Sequence, residues 1–283
     1  AAIHISEGDL EYELPSIEGS EFDGLYKDFD TMQTKLRETT EERNRADALT
    51  KEVIGNISHD LKTPLTAIKG YAEGIMDGVA ATPERMERYV KTIHSKAVDM
   101  AGLVDELSYF TKIYQKVEDF RFAPVKASYF FAECISGMSL DLETRNIQLL
   151  YQCDVGEDVE IVIDEEKIKR VVANIVGNAV KYIQREQGMI LVNVEDQGSF
   201  IQVMIRDNGK GIGKEELPFI FERFYRTDSS RNSRTGGSGL GLAIAKKIMD
   251  EHGGRIWAES ELGKGTEVYF TLKETEQKEE HDE

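Results

Sequence analysis

Two apolar stripes at helical spacing, separated by a short loop, set the first limit on how this chain folds. Ile57, Leu61, Leu65, Ile68, Ala72, Ile75 and Val79 recur three and four residues apart, and Met86, Val90, Ile93, Ala97, Met100, Val104 and Leu107 repeat the pattern. Gly78 lies near the end of the first helix. Thr82-Pro83-Glu84 reads as a helix start, with Thr82 as N-cap and Pro83 at the first helical position, and this second helix runs to about Tyr114. The pair forms an αα-hairpin, which cannot bury both stripes by itself. Pairing two hairpins gives a four-helix bundle, so a homodimer is expected.

Upstream, residues 1–24 read as an acidic connector with Gly8, Pro15, Gly19 and Gly24. From Leu25 the pattern turns helical, with Phe29, Met32 and Leu36 in the spacing of a coiled-coil seam. That seam is polar through Thr39, Arg43 and Thr50. An adjustable joint and a solvated linker helix both fit it. After Glu118 the texture becomes mixed. FRFAPV, QLLYQCDV and VEIVID read as strands, and residues 128–144 as a helix. Asp164 caps a helix running to about Ile183. MILVNVED and FIQVMIRD flank a Gly198-Ser199 turn, residues 239–251 form a helix, and RIWAES and TEVYFTL close the domain. The expected divisions are 1–44, a connector and helix; 45–118, the hairpin; 119–273, an α+β domain; and 274–283, an acidic, disordered tail.

The 283 residues fit two or more domains, and 40% hydrophobic content is ample for real cores. A net charge of −18 argues against nucleic-acid binding, which needs surplus cations to displace counterions. An anionic ligand must therefore be met by a local site. Cys134 and Cys153 form no CxxC and read as two buried thiols in a reduced compartment. No apolar run is long enough to span a membrane. The opening AAIHISEGDL lacks the regions of a signal peptide and reads as the start of an excised fragment.

One stretch of the first hairpin helix stands out: GNISHDLKTPL, residues 55–65. By helical geometry His59 lies about 200° from both Ile57 and Leu61, so it is expected to face solvent rather than the bundle core. An exposed imidazole beside Asp60 is a nucleophile with an attached base, or else an ordinary surface His-Asp pair. Pro64 inside the helix removes a backbone hydrogen bond, at a cost of about 3 kcal/mol. The other histidines have structural readings, His252 as a cationic ring at a helix C-terminus.

The second concentration of chemistry is rich in glycine. DNGKGIG, residues 207–213, follows a strand, and GGSGLGL, residues 236–242, opens a helix whose N–H groups can cradle phosphate. Neither fits a P-loop or a dinucleotide fingerprint. Asn174, Asn178 and Lys181 share one helical face, with Asn oxygens suited to Mg²⁺ and a lysine suited to phosphate; a locally hydrogen-bonded polar face is the alternative.

Together these stretches resemble the cytoplasmic part of a bacterial transmembrane sensor histidine kinase. SHDLKTPL resembles the family's phosphoacceptor box, NIVGNAVKY its N box, DNGKGIG its G1 box, FIFERFYRTD its F box and GGSGLGLAIAKKI its G2 box. GDLEYELP and the helix after it resemble the second half of a HAMP relay module. The implied fold is multidomain α and α+β: a coiled-coil linker, an αα-hairpin forming a dimeric four-helix bundle, and a Bergerat-type α/β sandwich that binds ATP.

The resemblance also implies roles. ATP would phosphorylate His59 with Asp60 as general base, and the phosphoryl group would pass to an aspartate on a response-regulator receiver domain. Thr63 would act in the reverse, phosphatase direction. Asn178 would hold Mg²⁺ with Asn174 in support, Lys181 would meet phosphate, and Tyr182 would pack near adenine. Asp207 would accept the adenine amino group. Gly209, Gly211, Gly237, Gly239, Leu240 and Gly241 would let backbone close on the nucleotide. Residues 222–236 would form a mobile lid, with Arg226 contacting phosphate. The membrane link would run only through an N-terminal part absent from this sequence. Ile183, where Thr or Ser is common, and QREQG, where a Pro/Gly turn is frequent, depart from the family pattern. A gyrase- or chaperone-type ATPase without a phosphohistidine and a nucleotide-sensing scaffold remain as rivals.

Overall fold

A computed structural model describes residues 23–115, 119–226 and 238–275. Two compact units divide the chain, one up to Thr63 and one from Pro64 onward. Helix α1 spans Asp23–Met76 and contains Pro64. The expected HAMP connector falls largely outside the described residues.

In the unit from Pro64, α1 ends at a loop whose Gly78 takes φ +75°, the left-handed conformation that lets the chain turn back. Helix α2, Pro83–Tyr114, starts as its sequence dictates: the Thr82 hydroxyl accepts from the Arg85 N–H at 3.3 Å, and Pro83 needs no donor there. The helices pack through Tyr71 and Tyr89, edge to face at 5.0 Å, over Gly74, where a Cβ would lie 2.9 Å from the Tyr89 ring. Much of the apolar stripe stays exposed in the single chain: Leu65, Val79, Met86, Val90 and Val104.

The second half of this unit is an α/β sandwich. Strand β1, Ala123–Lys126, leads into α3, Ala127–Thr144, which packs along β2, Ile147–Asp154. Strand β3, Glu160–Ile163, pairs antiparallel with β1. Helix α4, Glu165–Tyr182, is capped by the Asp164 carboxylate, and strands β4, Gly188–Asp196, and β5, Phe200–Asp207, form a hairpin. Helix α5, Gly241–Glu251, precedes β6, Ile256–Glu261, and β7, Gly265–Lys273. The main sheet has the order β2-β4-β5-β7-β6. Only β2 and β4 run parallel.

Strict alternation along β4, β5 and β7 places one face inward. Rows such as Val192–Ile205–Val268 and Val194–Val203–Phe270 are registered across the sheet and buried. They meet Ile168, Val172 and Ile175 of α4 and Ile244 and Ile248 of α5 in one core. Fully burying each such side chain stabilises by about 1.5–3 kcal/mol before entropy is counted.

Three expectations change. Cys134 is buried, and burial pushes its thiol up to about 11, but Cys153 is exposed because β2 is an edge strand and its last residues project beyond the core. His252 is not a cationic cap. Its Nδ1 donates to the Ile248 carbonyl at 2.8 Å, its Nε2 accepts from the Asp164 N–H at 3.1 Å, and burial lowers its pKa. Glu274 and Thr275, assigned by sequence to the tail, donate their N–H groups to Ser199 and Glu160. The rest of that tail, 276–283, lies outside the described residues.

Candidate functional site

The phosphoacceptor stretch lies on α1. His59 and Thr63 are four residues apart, one turn along the same helical face. The His59 side chain, and with it the expected outward aim, falls outside the described residues. Thr63 is exposed and Asp60 half-buried, and both have interaction partners. Pro64 has no N–H to offer the Asp60 carbonyl, so the helix lacks one bond directly beyond the His-Asp pair.

In the unit from Pro64, a cavity of about 340 Å³ opens between α4, α5, the end of β5 and the start of β7. Helix α4 turns a polar edge toward it because its apolar stripe is taken by the sheet; Asn174, Asn178, Lys181 and Tyr182 line this edge. The Tyr182 ring lies 5.0 Å from Lys181 Nζ and 4.8 Å from Lys210 Nζ. Asn174 donates its amide to the Gly241 carbonyl at 2.9 Å, so it fixes the start of α5 as well as lining the wall.

At one end lies Asp207, buried at the last position of β5. Burial raises its pKa, opposed by the backbone N–H groups of Gly209 and Thr266. A buried carboxylate held by two backbone donors is a fixed acceptor for a ligand N–H. Ile205, Ile212, Ile220 and Val268 give this end an apolar lining suited to a flat heterocycle. At the other end, Ser238 and Gly239 lead into the N-terminus of α5, and Arg226 and Lys181 add positive charge to the cavity wall.

Gly211, Gly239 and Gly241 line the cavity, and two of them also close chain on chain. Gly211 has φ +71°, and a Cβ there would lie 2.1 Å from the Glu261 carbonyl oxygen. Gly239, at φ +70°, would meet the Phe224 backbone at 2.8 Å. These glycines bring protein backbone against protein backbone, and the cavity walls follow from that closure. Gly209 and Leu240 lie beneath the wall: the Gly209 N–H donates to Asp207 Oδ1 at 2.7 Å, and the Leu240 N–H to Ser238 Oγ at 3.0 Å. Gly237 and most of the expected lid, residues 227–237, lie outside the described residues.

Sequence reasoning missed Thr266, Ser238 and Glu106, all on the cavity wall. Ser238 carried a signal, being the one hydroxyl within a glycine run that opens a helix. Thr266 and Glu106 arrive from distant strand and helix positions, and no local pattern marks them.

A sandwich with this cavity, preceded by a helical hairpin, defines a nucleotide-binding domain joined to a helical partner domain. Residues 163–276 match the family of histidine kinase-, DNA gyrase B- and HSP90-like ATPases, and residues 50–115 match the His Kinase A (phospho-acceptor) domain. The sensor histidine kinase YkoH of Bacillus subtilis is 35% identical over 94% of the chain, and the sensor histidine kinase WalK of the same organism 32% over 84%. The chain spans 56% of YkoH and 39% of WalK. The structure of histidine kinase ThkA in complex with the response regulator TrrA aligns at 26% identity with a TM-score of 0.64, covering 86% of this chain and 68% of that one. By its domains the chain belongs to the histidine kinases, a phospho-acceptor hairpin followed by a domain of the ATPase family, and most of the cavity lining comes from the latter. Among the described residues no helix is long and apolar enough to cross a membrane.

Proposed function

We propose that this chain is the kinase core of a two-component sensor: it transfers the γ-phosphoryl group of ATP to His59 and then to an aspartate on a response-regulator receiver domain. The observation that carries the reading is the cavity itself, with a buried carboxylate for an amino heterocycle at one end, a helix N-terminus at the other and cations on its wall, in one chain with a phospho-acceptor helix. An imidazole nitrogen attacks the γ-phosphorus, the bond to the β–γ bridging oxygen breaks, ADP leaves, and Asp60 takes the ring proton. The resulting N–P bond is reactive enough to pass the group onward. Thr63, one turn from His59, serves the reverse reaction by positioning water on the phosphorylated regulator. ThkA is known in complex with a response regulator, which supports the same class of partner here.

Mg²⁺ fits the donor set. Asn178 offers a half-buried amide oxygen on the cavity wall, and the described residues hold no cluster of three or more metal-binding side chains. Mg²⁺ typically takes one or two protein oxygens and completes its shell with phosphate oxygens and water. When bound, it would neutralise charge on the transferring phosphoryl group. The exposed stripe of α1 and α2 supports a homodimer, with a second copy covering Leu65, Met86, Val90 and Val104 in a four-helix bundle. The N-terminal segment is assigned as part of a HAMP module joining this cytoplasmic portion to a membrane-spanning sensor. Acid-labile, alkali-stable label from γ-labelled ATP, absent in His59→Gln, tests the reading; steady phosphate release with no labelled protein would mark an ATPase instead.

A further inference from the structure

We propose that Glu106, on the hairpin helix α2, occupies the phosphate end of the ATP cavity as an internal anion, so that ATP and the docked hairpin compete for one loop. The inference rests on the cavity being the ATP site. Ser238 and Gly239 lead into α5, an eleven-residue helix beginning at Gly241, and its free N–H groups and positive dipole end favour an anion there. The Glu106 carboxylate reaches this loop and accepts from the Ser238 hydroxyl. Ser238 Oγ in turn accepts from the Leu240 N–H at 3.0 Å, so carboxylate, hydroxyl and amide form one chain. A nucleotide phosphate placed here has the charge of Glu106 and needs the same donors. Like charges at one site in a low-dielectric cleft repel, and one must leave.

The carboxylate is part of a broader seat. Phe110, one turn beyond Glu106, lies 6.1 Å from the Phe224 ring, and Arg223 lies over Tyr114 at 4.2 Å. The Phe224 N–H donates to the Gly239 carbonyl at 3.0 Å. The segments ending at Arg226 and starting at Ser238 are thus bonded to each other and seated together on α2. Loss of the Glu106–Ser238 contact removes the polar anchor of that seat. By linkage, whatever holds α2 down weakens ATP binding, and ATP weakens the docking by the same factor.

The test is the affinity of ATP, ADP and adenosine for the full chain, measured by calorimetry on wild type, Glu106→Gln and Glu106→Ala. ATP and ADP are expected to bind both variants roughly five- to tenfold more tightly, while adenosine, which lacks phosphates, binds all three alike. Equal ATP affinity in wild type and variants, or a tightening that adenosine shares, overturns the inference. If none of the three binds ATP, the ATP reading fails with it, so the two failures are distinguishable. Hydroxyl-radical footprinting of the wild type guards against a misfolded variant. Saturating ATP, but not adenosine, should increase labelling of Phe110, which is 2% exposed in the docked form. Unchanged labelling overturns the inference.

Discussion

The guanidinium of Arg170 lies 3.5 Å from the centroid of the Tyr109 ring, joining α4 of the ATPase domain to α2 of the hairpin. Lys167, itself buried, lies 5.1 Å from the same centroid. Partly desolvated cation–π contacts are worth about 0.5–2 kcal/mol. A double-mutant cycle of Tyr109→Leu and Arg170→Met, followed by urea unfolding, should give a coupling energy of about 1 kcal/mol. Additive effects would mean the contact adds nothing beyond packing.

Gly211→Ala should destabilise the ATPase domain severely. The positive φ costs about 1–2 kcal/mol, and the clash with the Glu261 carbonyl adds about 1–3 more. At roughly 2–4 °C per kcal/mol, the melting temperature should fall by about 5 °C or more. Gly137→Ala is the contrast: it lies mid-helix in α3 with nothing within 4 Å of a new Cβ, and should stabilise by about 0.5–1 kcal/mol.

His252 gives the sandwich a pH dependence of definite sign. Its folded pKa is lowered by burial, so its contribution to stability is fully present above the ordinary value of 6.5 and is lost as pH falls through the folded pKa. Protonation of Nε2 also ends its acceptance from the Asp164 N–H, which loosens the start of α4. The melting temperature of the wild type should drop more between pH 7.5 and 5.5 than that of His252→Gln. Equal drops would assign the acid sensitivity to other groups.

Asp207→Asn should weaken ATP binding by about 1.5–3 kcal/mol, the range for a hydrogen bond to a charged acceptor. Two backbone N–H groups donate to the carboxylate, and a neutral amide accepts them more weakly than a charged group, so the melting temperature should fall as well. ATP affinity equal to wild type would remove Asp207 from the adenine end.

Most of the sandwich and both hairpin helices were legible because their signals are local. Thr82-Pro83 fixes a helix start, Asp164 another, and the alternation of MILVNVED and FIQVMIRD fixes an inward face. The site was legible where one segment held several of its groups, as with Asn174, Asn178 and Lys181. It was not legible where side chains converge from distant segments. Thr266 reaches Asp207 across a sheet pairing, and Glu106 comes from a different domain. The collisions behind Gly211 and Gly239 involve residues outside their own glycine runs, so this chain closure could not be read from the runs themselves. His252 was misjudged for the same reason: its helix end predicts a cation, but the Asp164 N–H and the Phe120 and Phe122 rings around it make a neutral ring.

The central claim is that ATP bound in the sandwich phosphorylates His59. Incubating wild type, His59→Gln and Asp207→Asn with γ-labelled ATP tests it most directly. The account predicts an acid-labile, alkali-stable label on the wild type, none on His59→Gln, and a reduced rate on Asp207→Asn that rises with ATP concentration. Undiminished label on His59→Gln, or none on a wild type that binds ATP, would contradict it.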